Sequence, residues 1–262
     1  MSKRTLDDLV EIMAKLRGNP GCPWDKSQTH ETLKPFLVEE AYEVIDAIDR
    51  KSKEDLAEEL GDLLLQIAFH SRLAQEREDF EIGDVIEGVC NKMIRRHPHI
   101  FGDITVEGTD EVLKNWEDIK LEEKDMKTET ESMMSLPETL PALMKAFKVQ
   151  EKAARVGFDW DDVRGAFDKV YEELDELKEV YNTGNSDKIR EEMGDLLFAC
   201  VNIARFLEVE PELALKDAVK KFIRRFNYVE VEATKSDRNL QDMNLQEMDV
   251  LWEKSKDQEK KF

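Results

Sequence analysis

The chain has 262 residues and a formal net charge of −21, with 38% charged and 40% hydrophobic residues. Such acidity repels nucleic acid and anionic membranes, so we expect neither as a partner, and no apolar run is long enough to span a bilayer. Three widely spaced cysteines without a CxxC pair do not fit a disulfide framework or a zinc site, and the polar start favours a cytoplasmic location.

The first half of the chain carries strong helical signals. The predicted helices cover 5–17, 33–50, 53–76, 83–97 and 109–125. Two of them have apolar stripes that we expect to pack against each other: Leu33, Leu37, Ala41, Val44 and Ile48 on one, and Leu56, Leu60, Leu63, Leu64 and Ile67 on the other. Ser52 followed by Asp55 is a typical start for the second of these helices.

A polar stretch separates this half from a second helical half. We predict a domain over 1–127, a linker over 128–138 and a second domain over 139–262. The helices predicted in the second half are 139–154, 161–182, 186–207, 211–234 and 244–258. Because sustained strand alternation is absent from the sequence, the fold class is all-α, with one helical bundle in each half.

The two halves repeat one another. VEEAYEVIDAI (38–48) and EELGDLL (58–64) correspond to YEELDELKEV (171–180) and EEMGDLL (191–197), and the matched glutamates are 19 positions apart in both halves. A Trp-Asp pair precedes each copy, a Lys-x-x-Arg-Arg segment follows it, and each half ends on Trp-Glu. Four matched blocks in one order indicate a tandem repeat.

Each repeat places four carboxylates on two adjacent helices. In the first half these are Glu40 and Glu43 on one helix and Glu59 and Asp62 on the next, each pair at i,i+3 spacing beside an apolar stripe. A tight turn should make the helices antiparallel and bring the four carboxylates together. Oxygen-only ligands suit hard cations such as Mg²⁺ or Mn²⁺, which also bind phosphate oxygens.

Two other interpretations of these acids remain. Single glutamates in so acidic a chain are ordinary solvated helix residues, although the duplicated, equally spaced pattern argues against that reading here. A ferritin-like di-iron site requires Glu-x-x-His pairs, and histidine is absent from these motifs.

The EExxE motif followed by ExxD resembles the all-α nucleoside triphosphate pyrophosphohydrolases. Residues 21–48, GCPWDKSQTHETLKPFLVEEAYEVIDAI, and residues 148–160, KVQEKAARVGFDW, are similar to the MazG family within that group. The resemblance covers nearly the whole chain, and the tandem arrangement narrows it to the long form. It implies two MazG-type helical bundles, a homodimer, and Mg²⁺-dependent hydrolysis of NTPs and dNTPs to monophosphate and pyrophosphate.

The resemblance also implies roles for individual residues. The implied metal ligands are Glu40, Glu43, Glu59, Asp62, Glu173, Glu176, Glu192 and Asp195. Glu39 and Glu172, which directly precede a ligand, are candidates for orienting the attacking water or accepting its proton.

Basic and aromatic residues repeat beside these motifs. The basic triplets share a helix face and are candidates for gripping a triphosphate, although ion pairing with the surplus acid is the alternative. The tryptophans are candidates for stacking on a base, or alternatively for core or interface packing. The full set of candidate substrate-binding residues is Lys92, Arg95, Arg96, Trp116, Lys120, Lys221, Arg224, Arg225, Trp252 and Lys256.

Competing functions stay open at this point. A metal-stabilised helical protein that senses nucleotides without turnover would carry the same ligands, and a dUTPase-like hydrolase would share the motifs. The sequence contains no P-loop and no GxGxxG motif, so phosphate binding has to come through metal.

We expect the second half to be the more dependable catalyst. The first half has 15 residues from Trp24 to Glu39, whereas the second has 12 from Trp160 to Glu172, so the wall beside the carboxylates must differ. The family resemblance points the same way.

Overall fold

The computed structural model describes residues 3–124 and 126–259, without the side chains of Asp110 and Glu259. These residues form thirteen α-helices and one short 3-10 helix and contain no strand, which confirms the all-α prediction. The chain divides into two compact units between Lys120 and Leu121. Among the described helices, none combines the length and the apolarity needed to cross a bilayer.

The first unit holds six complete helices and most of a seventh. They are α1 (Leu6–Arg17), α2 (Pro23–Ser27), α3 (His30–Arg50), α4 (Lys53–Gln75), α5 (Ile82–Arg96), α6 (Pro98–Phe101) and α7 (Thr109–Glu123). The five long helices begin and end within three residues of the predicted ones. The short helices α2 and α6 were not predicted. Each begins with a proline, whose fixed φ suits the first turn of a helix.

Helices α3 and α4 form the hairpin that carries the first carboxylate motifs. Helix α3 begins three residues before the prediction because the side chain of Thr29 accepts a hydrogen bond from the backbone N–H of Thr32. The turn between the helices consists of Lys51, in the left-handed region with φ of 55°, and Ser52, whose hydroxyl accepts from the N–H of Asp55. This turn returns α4 along α3, and the two helices pack along their length.

The core of the first unit lies between α1, α3 and α4. Met13, Leu33 and Phe69 are at most 3% exposed, and Ala68 and Leu73 are buried with them. Leu9, Leu16, Phe36 and Leu65 pack against this cluster. Phe69 therefore sits in a closed apolar interior.

A histidine pair lies at one side of this bundle. His30, the first residue of α3, and His70 of α4 have stacked rings, and their Nδ1 atoms are 2.7 Å apart. Partial burial, followed by the neighbouring His30, lowers the pKa of His70. Because α3 and α10 begin at matched positions of the repeat, as α4 and α11 do, the corresponding residues of the second half are Val163 and Ile203.

The second unit repeats the architecture. It contains α8 (Glu129–Met134), α9 (Ala142–Arg155), α10 (Val163–Val180), α11 (Ser186–Phe206), α12 (Pro211–Lys235), a 3-10 helix (Leu240–Asp242) and α13 (Leu245–Glu259). Helices α10 and α11 pack along their length, α11 packs on α9, and α12 packs on α13. Asp162 and Asn185 cap α10 and α11 through side-chain oxygens.

The stretch predicted as a linker, 128–138, contains helix α8. Thr128 and Glu131 form a capping box at its start, and the helix packs on α9 within the second unit. Ser132 and Lys152 are 1% and 4% exposed, and the Lys152 ammonium donates to the Ser132 hydroxyl. The position of the domain boundary itself stays a prediction.

Several side chains of the two apolar stripes are exposed, which corrects part of the expectation that the stripes pack against each other. Ile48 is 55% exposed, Leu60 48% and Leu64 40%. The α3–α4 hairpin buries its apolar surface on the side that meets α1, and these side chains lie elsewhere on it. Exposed apolar residues also line α5 and α12: Val85, Ile86, Val89, Met93, Ile94, Leu215, Val219, Phe222 and Ile223.

Candidate functional site

The hairpin of the first unit brings its motif carboxylates together. Glu40 and Glu43 on α3 and Glu59 on α4 each place a carboxylate oxygen within 4.8 Å of the others. Asp62 lies near enough for its charge to raise the pKa of Glu40. The four residues singled out in the sequence therefore share one neighbourhood.

Electrostatics in this cluster disfavour four bare negative charges. Desolvation is the main reason that the pKa of Glu40 is raised, with further contributions from Asp62 and Glu43. The pKa of Glu59 is raised by desolvation and then by the charge of Glu43. Carboxylates in this situation take up protons or cations.

The second unit builds the same cluster with one carboxylate more deeply buried. Glu173 on α10, with Glu192 and Asp195 on α11, place carboxylate oxygens within 4.8 Å of one another, and Glu173 is only 5% exposed. Glu176 is a hydrogen-bonding neighbour of Glu192. Desolvation and the charge of Glu176 raise the pKa of Glu192.

The donor sets of the two clusters fit a hard divalent cation. Every candidate ligand atom is a carboxylate oxygen, and a cation would relieve the repulsion that raises the carboxyl pKa values. Exposed Glu39 and Glu172 stand next to these clusters, one residue before Glu40 and Glu173.

Lys169, which the sequence analysis missed, lies over the second cluster. Its ammonium is 2.8 Å from Glu172 and 2.5 Å from Glu173, and bonds to these two carboxylates raise its pKa. The i,i+3 and i,i+4 spacing of the three residues was the available signal. The matched position in the first half is Phe36, a residue of the packed core.

A cavity of about 940 Å³ adjoins the second cluster. Glu173, Glu176 and Asp195 form part of its wall together with Lys169. The rest of the wall includes Gln150, Trp160, Phe198, Asn202 and Arg205. The carboxylates therefore border a space large enough for a small organic molecule.

The matched positions of the first half are filled by core side chains. Asn202 corresponds to Phe69, and Phe198 corresponds to Leu65. Phe69 is 3% exposed and packs within the apolar cluster of α1, α3 and α4, with the Arg17 guanidinium over its ring. Equal carboxylate motifs thus have unequal surroundings.

The basic triplets lie on α5 and α12, where each meets a tryptophan. In the first unit the Arg96 guanidinium lies 4.9 Å from the centre of the Trp116 ring, and the Lys120 ammonium lies 5.1 Å from it. Lys120 also forms an ion pair with Glu117. Lys92 is half-buried and Arg95 is exposed.

The second triplet has a similar arrangement. The Arg225 guanidinium lies 5.9 Å from the Trp252 ring, which also contacts Phe222 at a centroid distance of 5.0 Å. Lys256 pairs with Glu253, and Lys221 and Arg224 are exposed. The described residues that line the 940 Å³ cavity all come before α12 in the chain. Lys221, Arg224, Arg225 and Trp252 are therefore not part of the cavity wall.

Comparison with known proteins gives consistent results over most of the chain. The model of the MazG nucleotide pyrophosphohydrolase domain matches twice, at residues 28–101 and 165–230. The nucleoside triphosphate pyrophosphohydrolase/pyrophosphatase MazG of Thermotoga maritima is 47% identical over 250 residues, which is 95% of each chain. The nucleoside triphosphate pyrophosphohydrolase of Escherichia coli K12 is 45% identical over 97% of this chain and 98% of its own length.

A further relative has the same region within a longer chain. The uncharacterized protein YabN of Bacillus subtilis is 48% identical over 95% of this chain, which corresponds to 51% of its own length. The double match to one domain model agrees with the tandem repeat found in the sequence.

Proposed function

Because the chain belongs to the MazG family of nucleotide pyrophosphohydrolases, we propose that it hydrolyses nucleoside triphosphates to monophosphates and pyrophosphate with carboxylate-bound Mg²⁺. The observation that carries the proposal is the duplicated carboxylate cluster in a chain that matches pyrophosphohydrolases over nearly its whole length. In the second unit this cluster borders a cavity of suitable size.

The motif carboxylates hold the metal in this proposal. Glu40, Glu43, Glu59 and Asp62 form one set, and Glu173, Glu176, Glu192 and Asp195 form the other. Mg²⁺ or Mn²⁺ held by these carboxylates would supply a nucleophilic water and would neutralise phosphate charge. The support is the chemistry of the oxygen-only donors and the raised pKa values of Glu40, Glu59 and Glu192.

Neighbouring residues handle the proton and the phosphates. Glu172, or Glu39 in the first half, accepts a proton from the attacking water while the water oxygen forms a bond to the α-phosphorus. The bond from the α-phosphorus to the bridging oxygen breaks, and pyrophosphate leaves. Lys169 forms ion pairs with Glu172 and Glu173 and so lies beside the metal ligands. When substrate binds, its ammonium can leave one of these carboxylates and bind a phosphate oxygen instead.

The basic triplets and the tryptophans extend the substrate-binding surface. We assign Lys92, Arg95, Arg96 and Lys120, with their counterparts Lys221, Arg224, Arg225 and Lys256, to the phosphates. Trp116 and Trp252 present aromatic surfaces beside them. The support is the contact of Arg96 with Trp116 and of Arg225 with Trp252.

The proposal includes a homodimer. Exposed apolar side chains cover α5 and α12 and part of the α3–α4 hairpin, and a monomeric protein rarely leaves so much apolar surface in water. A second copy would cover these faces. Sedimentation at micromolar concentration should give twice the chain mass, and a monomer would contradict this part.

A product-resolved assay with all eight (d)NTPs tests the reaction. We expect monophosphate and pyrophosphate from several of them. Nucleoside diphosphate and orthophosphate as the first products would contradict the proposal, and bound nucleotide without turnover would favour the sensing alternative.

Metal removal tests the cofactor separately. EDTA should abolish turnover because the ligands are all carboxylates, and excess Mg²⁺ or Mn²⁺ should restore it. EDTA already saturated with Mg²⁺ is the control. Full activity in metal-free enzyme would overturn the metal assignment and leave the reaction itself standing.

A further inference from the structure

The loop between α9 and α10, residues 156–162, forms one wall of the second-unit cavity. The loop residues that line the cavity are Gly157, Phe158, Asp159 and Trp160. The loop leaves α9 through Gly157, whose φ of 81° is a conformation that favours glycine. It ends at Asp162, whose side chain caps α10. Its two ends are therefore fixed by the helices that it joins.

A separate contact fixes the distance between α9 and α11. Gln150 of α9 is 7% exposed, and its Nε2 donates to the backbone carbonyl of Phe198 on α11 at 2.8 Å. The buried Oε1 of Gln150 accepts no hydrogen bond from the described residues, so this one bond orients the amide. The helices on this side of the cavity are thus held together without the loop.

Two contacts anchor the middle of the loop to the helices that carry the carboxylates. The Trp160 ring lies against α10, where a Cβ added at Gly165 would be 2.4 Å from its Cδ1 atom. Asp159 accepts a hydrogen bond from the Arg205 guanidinium of α11, and the two side chains are 22% and 13% exposed. Phe158 adds no comparable anchor, because it is 84% exposed. An ion pair largely shielded from water therefore joins the loop to α11.

Arg205 is itself held in one orientation. Its Nε donates to Asn202 Oδ1 at 2.8 Å, and the guanidinium carbon lies 4.4 Å from the centre of the Phe206 ring. A planar guanidinium with several fixed partners has little freedom to reorient. Because α11 also carries Glu192 and Asp195, Arg205 sets the position of the loop relative to these carboxylates.

We infer that Arg205 is a positioning residue of the proposed reaction, and that it acts through Asp159 by holding the α9–α10 loop in place beside the carboxylate cluster. The inference rests on the proposed function, which puts the triphosphate at this cluster. A wall that is in place before substrate arrives does not have to be ordered on binding, so the ion pair lowers KM. Loss of either partner leaves the other charge partly buried and unpaired, which favours displacement of the loop.

The first half holds the corresponding loop in another way. The matched arginine, Arg72, pairs with Glu76 at the end of its own helix, and Pro23 occupies the position of Asp159. The first-half loop is held instead by Arg17 of α1, which donates to two of its backbone carbonyls. Positioning through a loop carboxylate is therefore assigned to the second unit alone.

A double-variant cycle tests whether Arg205 acts through Asp159. Asp159→Ala and Arg205→Ala should each raise KM for ATP about 10-fold with kcat little changed, and the double variant should raise it no further. If Arg205 instead bound the substrate itself, the two effects would multiply, and that result would overturn the inference. Arg72→Ala is the matched control, because it removes an arginine ion pair from the first unit and should leave KM unchanged.

Conservative variants protect the test against misfolding of the alanine variants. Asp159→Asn keeps the shape of the side chain and removes its charge, and Arg205→Lys keeps the charge. Asp159→Asn should raise KM and speed amide hydrogen exchange in residues 156–162, with exchange in α10 and α11 unchanged. Arg205→Lys should restore part of the KM that Arg205→Ala loses. A higher KM in Asp159→Asn without faster exchange in the loop would contradict the positioning role.

Failure of the inference and failure of the proposed function are distinguishable. If the unaltered chain releases no pyrophosphate from any NTP, the proposed function fails, whatever the loop does. If the unaltered chain is active and both Asp159→Ala and Arg205→Ala keep its KM, only the positioning role is wrong.

Discussion

The two hairpins of this chain, α3–α4 and α10–α11, carry the same carboxylate motifs but differ in what surrounds them. Beside the first cluster the matched positions hold Phe36 and Phe69, which pack in an apolar core. Beside the second they hold Lys169 and Asn202, which line a cavity. The comparison teaches that identical ligands do not make equivalent sites, because a substrate also needs space and polar partners next to the metal.

The largest expected effect comes from removing one carboxylate of the second-half cluster. Glu173→Ala or Glu192→Ala should lower NTP hydrolysis at least about 100-fold, because the cavity-bordering cluster would lose charge that the metal needs. Glu40→Ala or Glu59→Ala should leave a measurable fraction. Steady-state kinetics with Mg²⁺ measure both.

Matched acidic residues outside the clusters serve as controls. Glu54 and Asp187 occupy the same place in the first turn of α4 and α11, and their alanine variants should keep near-normal rates. If Glu40→Ala and Glu59→Ala are inactive while Glu173→Ala and Glu192→Ala keep near-normal turnover, the first half is the main catalyst and the ranking of the halves is reversed.

Exchanging the matched side chains tests whether space makes the difference. Asn202→Phe should fill part of the cavity and lower kcat/KM roughly 10-fold. Phe69→Asn should instead destabilise the first unit by roughly 3 to 5 kcal/mol, since it removes a buried ring and buries an amide. Urea unfolding and kinetics of each variant separate the two outcomes.

A conservative change calibrates that experiment. Phe69→Leu keeps the position apolar and should cost less than Phe69→Asn. If Asn202→Phe is as active as the parent chain, the cavity is not what distinguishes the halves.

The smallest expected effect is the pH dependence that His70 contributes to the stability of the first unit. The pKa of His70 is lower in the folded chain than in the unfolded chain. When the pH falls below the ordinary histidine pKa, the unfolded chain therefore binds more protons than the folded chain. Stability is therefore present above about pH 6.5 and falls as the pH drops. A urea midpoint that decreases from pH 7.5 to 5.5 would show this.

The second half supplies the matched control for the histidine pair. The double variant His30→Val, His70→Ile copies Val163 and Ile203 and should lose most of that pH dependence. An unchanged pH dependence in the double variant would assign it to other groups.

Local patterns in the sequence were sufficient to predict the ten long helices and the carboxylate clusters. Periodicity located the ten long helices, and i,i+3 spacing with the tight turn at Lys51 brought Glu40 and Glu59 to one place. The short helices α2, α6 and α8 were missed because four to six residues show no periodicity.

Features that depend on long-range packing could not be predicted. The unpartnered Oε1 of Gln150 results from the approach of α9 to α11, and Trp160 lies on Gly165 only in the folded unit. The exposure of Ile48 and Leu60 could not be predicted either. An apolar stripe in the sequence does not indicate whether it packs against the same chain or against another one.

The hydrogen bond from Lys152 to Ser132 indicates where a truncated chain that contains only the second unit should begin. Helix α8 lies inside the stretch predicted to be a linker, so a truncated chain that begins at residue 139 would leave Ser132 behind. The buried Lys152 ammonium would lose this acceptor and α9 would lose the helix packed on it. A truncation that begins before the Thr128 cap keeps both, and is the form in which the second half should be expressed and crystallised.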